Sequence, residues 1–543
     1  KYMSQNCSRT RRFFLNSSLL VAVSLVMRGV GVAFNIYVTN KAGAETVGLY
    51  SLLSGVYGFA ITLATSGIGL AMTRLISEAL GKGDQQAARS AVRAGTLYAL
   101  LFGTGAGILL FALAQPLGAT LIGDVRTVRA LRVLALTLPP IAVCSCLSGY
   151  FTAVRRVGRN AAAQILAQGA RIFLTVFFLS LFLPRGIEYA CLALVIGGAL
   201  SEAIALALSA FLYLRDRSRT FSDAPAGGDR SMWGKLLAIG LPVACSAYVR
   251  SGLVTVEHIL IPRGLKKSGA SWKAALSAFG ILHSMVLPVV LFPSAFITSF
   301  SGLLIPEVAE SRVLADTARI RRIAFRIFTL SMFFAVGVSG VMLCFSEELG
   351  CAVAGTGNVA QTVLFIRRLA PLIPIMYVDS AVDAILKGMG EQVYSMNVNI
   401  IDAAVSVLLV WILLPVMGLN GYIITIYVTE TLNTTLSITR MLRVTGMRPR
   451  LWHQVFGPVT CVIGATCASR LLFQPLTGSI TPVWLSFAVH AATSALLYLA
   501  LLCATGIFGA EEREILRAMR RSSRRHPPDS ADQRKHLFLR HEA

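Results

Sequence analysis

Apolar residues fill long blocks of this chain, and short polar stretches separate the blocks. Each is close to the 20 or so residues that a helix needs to cross a bilayer. About 14 blocks are present, near 13–38, 47–76, 91–115, 131–154, 161–183, 187–213, 236–261, 276–305, 323–346, 362–386, 393–416, 418–438, 453–473 and 483–507. The pattern predicts an all-α polytopic membrane protein. From Glu511 onward the chain is charged and contains Pro527 and Pro528. That tail reads as an interfacial helix followed by disorder.

Composition agrees. Of 543 residues, 55% are hydrophobic and only 14% charged, and the mean hydropathy is +0.68. A soluble domain is roughly a quarter charged. The net charge of +24 would point to nucleic acid on a soluble chain, but the loops account for it here. With the N-terminus inside, the predicted cytoplasmic segments hold 34 Lys and Arg and the opposite segments 12. The bias puts both termini in the cytoplasm and turns the basic face toward anionic phospholipid. One outer segment, PRGLKKSGASWK (262–273), is basic against the rule. The opening KYMSQNCSRTRRFF reads as the entry to an uncleaved first helix, not a signal peptide. The ten cysteines show neither zinc nor disulfide spacing.

The chain also repeats itself. Ser24, Arg28 and Asn35 recur as Ser246, Arg250 and Glu257, all at an offset of 222. Basic loops after the second and eighth blocks, and PP (139–140), RRVG (155–158) and LPRG (183–186) against PLIP (371–374), KGMG (387–390) and LPVMG (414–418), recur at about 232. Six blocks separate the copies. An even number gives two six-helix lobes of the same orientation, related by a pseudo-two-fold along the membrane normal. The expected layout is a cytoplasmic N-terminus (1–12), an N-lobe (13–217), a linker (218–234), a C-lobe (235–440), two further helices (441–508) and a basic tail (509–543).

Three stretches carry a family likeness: ETVGLYSLLSGVYGFAITLATSGIGLAMTRLISEALGKGD (45–84), GYFTAVRRVGRNAAAQILAQGARI (149–172) and RSGLVTVEHILIPRGL (250–265). With the repeat, they resemble the multidrug/oligosaccharidyl-lipid/polysaccharide exporter superfamily. The branch is similar to stage V sporulation protein B-like polysaccharide transporters, relatives of the lipid II flippases. The resemblance implies two lobes in a V with alternating access to a central cavity, polyprenyl-pyrophosphate-linked sugars as substrates, and a lipid-tail groove beside the last two helices.

The candidate site starts at VSLVMRGVGVAFN (23–35), where Arg28 lies inside an apolar block. A guanidinium at that depth costs at least a few kcal/mol, so it is expected to face a cavity or a partner. Ser24, Arg28 and Asn35 share one helical face, as do Ser246, Arg250 and Glu257. Two arginines from opposed lobes would make a cationic cavity suited to pyrophosphate, whose oxygens match guanidinium forks. The competing reading is an ion pair such as Arg250 with Glu257. Arg74 stands either at the cavity mouth or at the interface, and Arg171 reads as structural. Asp379, Asp383 and Lys387 follow at four-residue steps, and Asp402 and Glu430 add acids to the C-terminal half, against Glu202 alone in the N-terminal half. The asymmetry suggests a site for a coupling cation, sodium or a proton, with neutralisation of the basic groups as its alternative.

No metal-binding, nucleotide-binding or hydrolase motif is present, so no cofactor and no enzymatic chemistry are expected. The expected function is flipping of an anionic lipid-linked saccharide, with wall-synthesis enzymes as partners. Two alternatives stay open: a cation-coupled multidrug antiporter of the same superfamily, and an intramembrane oligosaccharide ligase or polymerase.

Overall fold

The computed structural model describes residues 25–65, 67–82, 84–154, 156–220, 231–354, 357–477 and 483–507. These residues are helical throughout, with no strand among them. The helices are α1 (25–42), α2 (Ala44–Thr65), α3 (Ile68–Gly81), α4 (Gln85–Pro116), α5 (Thr127–Ala135), α6 (Leu138–Ala153), α7 (Val157–Phe182), α8 (Ile187–Thr220), α9 (Ser231–Lys267), α10 (Trp272–Gly280), α11 (Leu287–Leu291), α12 (Ser294–Val313), α13 (Thr317–Cys344), α14 (Ser346–Ala354), α15 (Val359–Leu369), α16 (Ile373–Gly388), α17 (Gln392–Met417), α18 (Leu419–Thr445), α19 (Gly457–Thr477) and α20 (Val483–Ala504).

Among the described residues, eleven helical stretches are long and apolar enough to cross a membrane, or twelve if α5 and α6 form one bent span. The protein is thus a multi-pass membrane protein. Two of the fourteen expected blocks fall outside that set. The first continues into α1 from residues that are not described. The other, α18, carries Thr429, Glu430, Asn433 and Thr434 through its middle. Large side chains such as Phe173, Trp411, Val416 and Leu471 face outward, as a lipid-facing surface requires.

Proline and capping residues set the breaks. The fourth block bends by 41° between α5 and α6, where Pro139 and Pro140 occupy the first turn of α6 and lack the amide a continuous helix needs. Pro371 sits likewise in the 3₁₀ turn Ala370–Leu372 ahead of α16. Asp84 caps α4 by accepting from Ala87 N at 2.8 Å, and Asp316 caps α13 by accepting from Arg319 N at 2.9 Å. The two caps are separated by the same 232 positions as the repeated motifs.

Helices α2–α8 pack on one another, and α9, α10, α12, α13 and α15–α18 form a second bundle. Helices α19 and α20 lie against α13 through Phe333, Val462, Ala465 and Tyr498. The bundles meet along α2. A Cβ on Gly48 would stand 2.0 Å from the Leu276 carbonyl of α10, and one on Gly67 would stand 2.3 Å from the Gly240 carbonyl of α9. Gly67 also has φ 78°, a turn that favours glycine. Ser51 and Ser284 approach to 2.6 Å, Thr255 donates to the Gly55 carbonyl at 3.0 Å, and Thr62 donates to Ser251 at 3.1 Å. The basic segment 262–273 belongs to this seam. Lys273 lies 3.8 Å from Glu45 of α2, and Arg263 donates to the Thr120 carbonyl.

Candidate functional site

A polar chamber of about 860 Å³ lies between α1, α2, α6, α7 and α8. Helix α7 supplies one wall. Asn160, Gln164, Gln168 and Arg171 all line the chamber, and their three- and four-residue steps put them on one helical face. Arg171 donates to the Tyr50 hydroxyl at 3.2 Å, and Glu202 of α8 lines the chamber beside it. Asn160 donates to Ser148 of α6 at 2.8 Å. Arg28 of α1 reaches the same chamber and makes no ion pair or hydrogen bond with another described residue.

Arg171 also lines a smaller cavity of about 320 Å³ with Asn35, Tyr50, Ser51, His258 and His283. The two histidine rings lie 4.9 Å apart, and His283 Nε2 is 3.0 Å from the Tyr422 hydroxyl. Arg171 and Tyr50 therefore stand between two polar spaces.

A third cavity, about 750 Å³, is apolar. Phe292, Phe296, Phe334, Val462 and Tyr498 line it, which places it between α11–α13 and the pair α19–α20. One of its wall residues, Phe292, also meets α1. A Cβ on Gly29 would meet the Phe292 ring at 3.4 Å, and Arg28 is the preceding residue. Arg28, at the polar chamber, is thus followed by Gly29, packed against a ring that lines the apolar cavity.

The second bundle holds the acids. Glu257 of α9, Asp379 of α16, Asp402 of α17 and Glu430 of α18 are near enough to feel one another's charge, and Arg250 acts on Asp379 and Asp402. Asn433 donates to Asp379 at 3.3 Å. Lys387 pairs with Asp383 at 2.6 Å, the neutralised arrangement. One carboxylate oxygen each of Asp379, Asp383 and Asp402 is buried without a hydrogen-bond partner among the described residues. Among those residues no three His, Cys, Asp or Glu side chains converge closely enough to hold a metal ion.

The residues singled out by sequence are therefore dispersed. Arg28 lines the polar chamber and Asn35 the smaller cavity. Arg250 lines neither, and it makes no ion pair with Glu257. Arg250 instead acts on Asp379 of α16, two residues from Tyr377, on which Arg28 acts, and Arg171, read as structural, lines the chamber with Arg28. A repeat equates two helices but does not fix which face each turns inward. Ser246 donates to its own helix at the Val243 carbonyl, 2.9 Å away, so its hydroxyl is engaged. Arg74 pairs with Glu78 at 2.8 Å on an exposed surface. Ser24 lies outside the described residues. The amide row of α7 was overlooked. Its signal is the spacing Asn160, Gln164, Gln168, Arg171 inside a quoted stretch.

Residues 14–312 match the family described as polysaccharide biosynthesis protein. The chain belongs to this family. Within reach of this polysaccharide biosynthesis protein are Stage V sporulation protein B of Bacillus subtilis strain 168, 25% identical over 506 residues, covering 90% of this chain and 95% of that one, and Lipid II flippase MurJ of the same organism, 23% identical with coverage of 75% and 78%. The fold matches the solved Lipid II flippase MurJ in its inward closed conformation with TM-score 0.67 at 11% identity, covering 92% of this chain and all of that one. It also matches an inward-facing MATE family transporter of the MOP superfamily with TM-score 0.58 at 17% identity, covering 78% and 96%. The chain thus shares the fold of these solved transporters.

Proposed function

We propose that the protein moves a polyprenyl-pyrophosphate-linked saccharide from the inner to the outer leaflet of the bacterial plasma membrane. The observation that carries this reading is the sequence of environments along α1. Arg28, with no ion-pair partner among the described residues, lines the polar chamber, and the next residue, Gly29, meets the ring of Phe292, a wall of the apolar cavity. Such a lipid has the same three parts: a sugar, a pyrophosphate and a hydrocarbon tail. A guanidinium matches the middle part, and the tail is best covered by apolar side chains. The name of the MurJ relative, a lipid II flippase, agrees with a substrate of this class.

The movement is a rocking of two six-helix lobes, fourteen membrane helices in all, with both termini cytoplasmic. No bond is made or broken, so the protein is no enzyme and needs no cofactor. Wall-synthesis enzymes would supply and consume the lipid. A coupling cation, proton or sodium, is assigned to the acids of the second bundle, whose unpartnered carboxylate oxygens are acceptors without donors.

Those acids also favour a second reading, a cation-coupled multidrug antiporter. Against it, the polar chamber has two arginines to one carboxylate and no aromatic lining for a flat cation.

Reconstitution in liposomes tests both. The wild type is expected to translocate a fluorescent undecaprenyl-pyrophosphate sugar, and Arg28→Ala to lose at least tenfold in rate while remaining folded. Export of a cationic dye without lipid translocation would establish the antiporter instead.

A further inference from the structure

The pyrophosphate and tail leave the sugar unassigned, and α7 offers a place for it. We infer that the face of α7 carrying Asn160, Gln164 and Gln168, opposite Ser148 and Ser201, is a saccharide-binding subsite that reads the hydroxyl and acetamido groups of the headgroup. The inference rests on the proposed lipid-linked substrate.

Three observations carry it. The first is chemical. Each Gln offers two donors and an acceptor, which suits the neighbouring hydroxyls of a sugar ring, each of them both donor and acceptor. Gln164 and Gln168 make no hydrogen bond with another described residue, and both line the chamber. Asn160 is already tied to Ser148 at 2.8 Å and closes one end of the row. The second is charge. At the far end, Arg171 is held by Tyr50 and stands beside Glu202. Glu202 offsets the charge of Arg171 there, leaving Arg28 as the chamber's cation with no ion-pair partner among the described residues. A neutral headgroup then fits the row and an anion fits Arg28. The third is space. Ala161, Ala167 and Ala205 line the same chamber, and its volume of about 860 Å³ lies at the upper end of the usual range of ligand pockets.

The test uses the full-length protein in nanodiscs. It measures equilibrium binding of undecaprenyl pyrophosphate bearing an N-acetylated disaccharide, and of undecaprenyl pyrophosphate without sugar. The wild type is expected to prefer the sugar-bearing lipid by roughly tenfold, the effect of two neutral hydrogen bonds at about 1 kcal/mol each less some ordering. In Gln164→Ala/Gln168→Ala that ratio is expected to fall toward one. Gln164→Asn/Gln168→Asn, which keeps the amides, should retain part of it and guards against a folding defect. Arg28→Ala should weaken both lipids together and leave the ratio. Equal affinity of the wild type for the two lipids overturns the subsite and leaves the lipid-linked reading standing. So does an unchanged ratio in the alanine variant. A wild type that binds neither lipid overturns both.

Discussion

At the scale of single residues, the strongest local arrangement lies away from the chamber. Asp216 of α8 is fully buried. It accepts from the Tyr150 hydroxyl at 2.9 Å and pairs with both Arg156 and Arg159. Removing one partner of a buried pair leaves charge uncompensated. Because the two arginines are partly exposed, Asp216→Ala is expected to cost about 2–4 kcal/mol, read as a fall in Tm of the detergent-solubilised protein. Asp124, in the loop between α4 and α5, behaves differently. Burial acts to raise its pKa, but the Arg126 side chain and backbone amide bond it and hold it below the usual aspartate range. A depressed pKa stabilises the fold above the unfolded value and loses that contribution as pH falls through the folded one. The contribution of Asp124 should therefore persist down to about pH 3.9, the ordinary aspartate value, and disappear below it. In Asp124→Asn that acid-dependent part of the stability curve should be missing. Of the site residues, Arg28 was legible because a charge in an apolar block has few explanations. Gln164 and Gln168 were not, because neutral amides on a helix provoke no such question.

At the scale of elements, the apolar blocks marked the helices well and their interruptions poorly. The block 276–305 is divided into α10, a π-helical turn, α11 and α12, with a break at Phe292 and Pro293. Hydropathy averages over such a break, whereas backbone geometry does not. The seam between bundles was likewise invisible, since a glycine in a membrane helix looks alike whether it faces lipid or a neighbouring backbone. Gly48→Ala tests the seam. Its new Cβ would collide with the Leu276 carbonyl, which is backbone and cannot turn aside. We expect α2 and α10 to separate, at a cost of about 1–3 kcal/mol. Spin labels on the two helices should report the increased distance.

At the scale of the whole molecule, the two bundles differ in the charged groups they gather. The chamber of the first has Arg28, Arg171 and the amides of α7 against the single carboxylate of Glu202, whereas the second gathers Glu257, Asp379, Asp402 and Glu430 around Arg250. This division separates substrate handling from coupling in the proposed cycle. The apolar cavity under α19 and α20 gives the assembly a second selective surface. Filling it with Phe296→Trp should slow translocation of a long-tailed lipid several-fold and spare a short-tailed analogue, as a vesicle assay with both lipids would show.

The glycine crossings turn the seam into a lever. Gly67 rests on Gly240 with no side chain between them, so the two helices are pinned there and free to swivel. Gly48 lies 17 residues back from Thr65, where α2 ends just before Gly67, about 26 Å at 1.5 Å per residue. A swing of about 10° about the pinned point carries that end some 5 Å sideways, by the same helical length. That is enough to part Glu45 from Lys273, which stand 3.8 Å apart. If the fulcrum shifts to Gly48, the same swing opens the opposite end. In the proposed rocking, bare contacts within one end of α2 and just past the other would serve as a seesaw that lifts one end at a time.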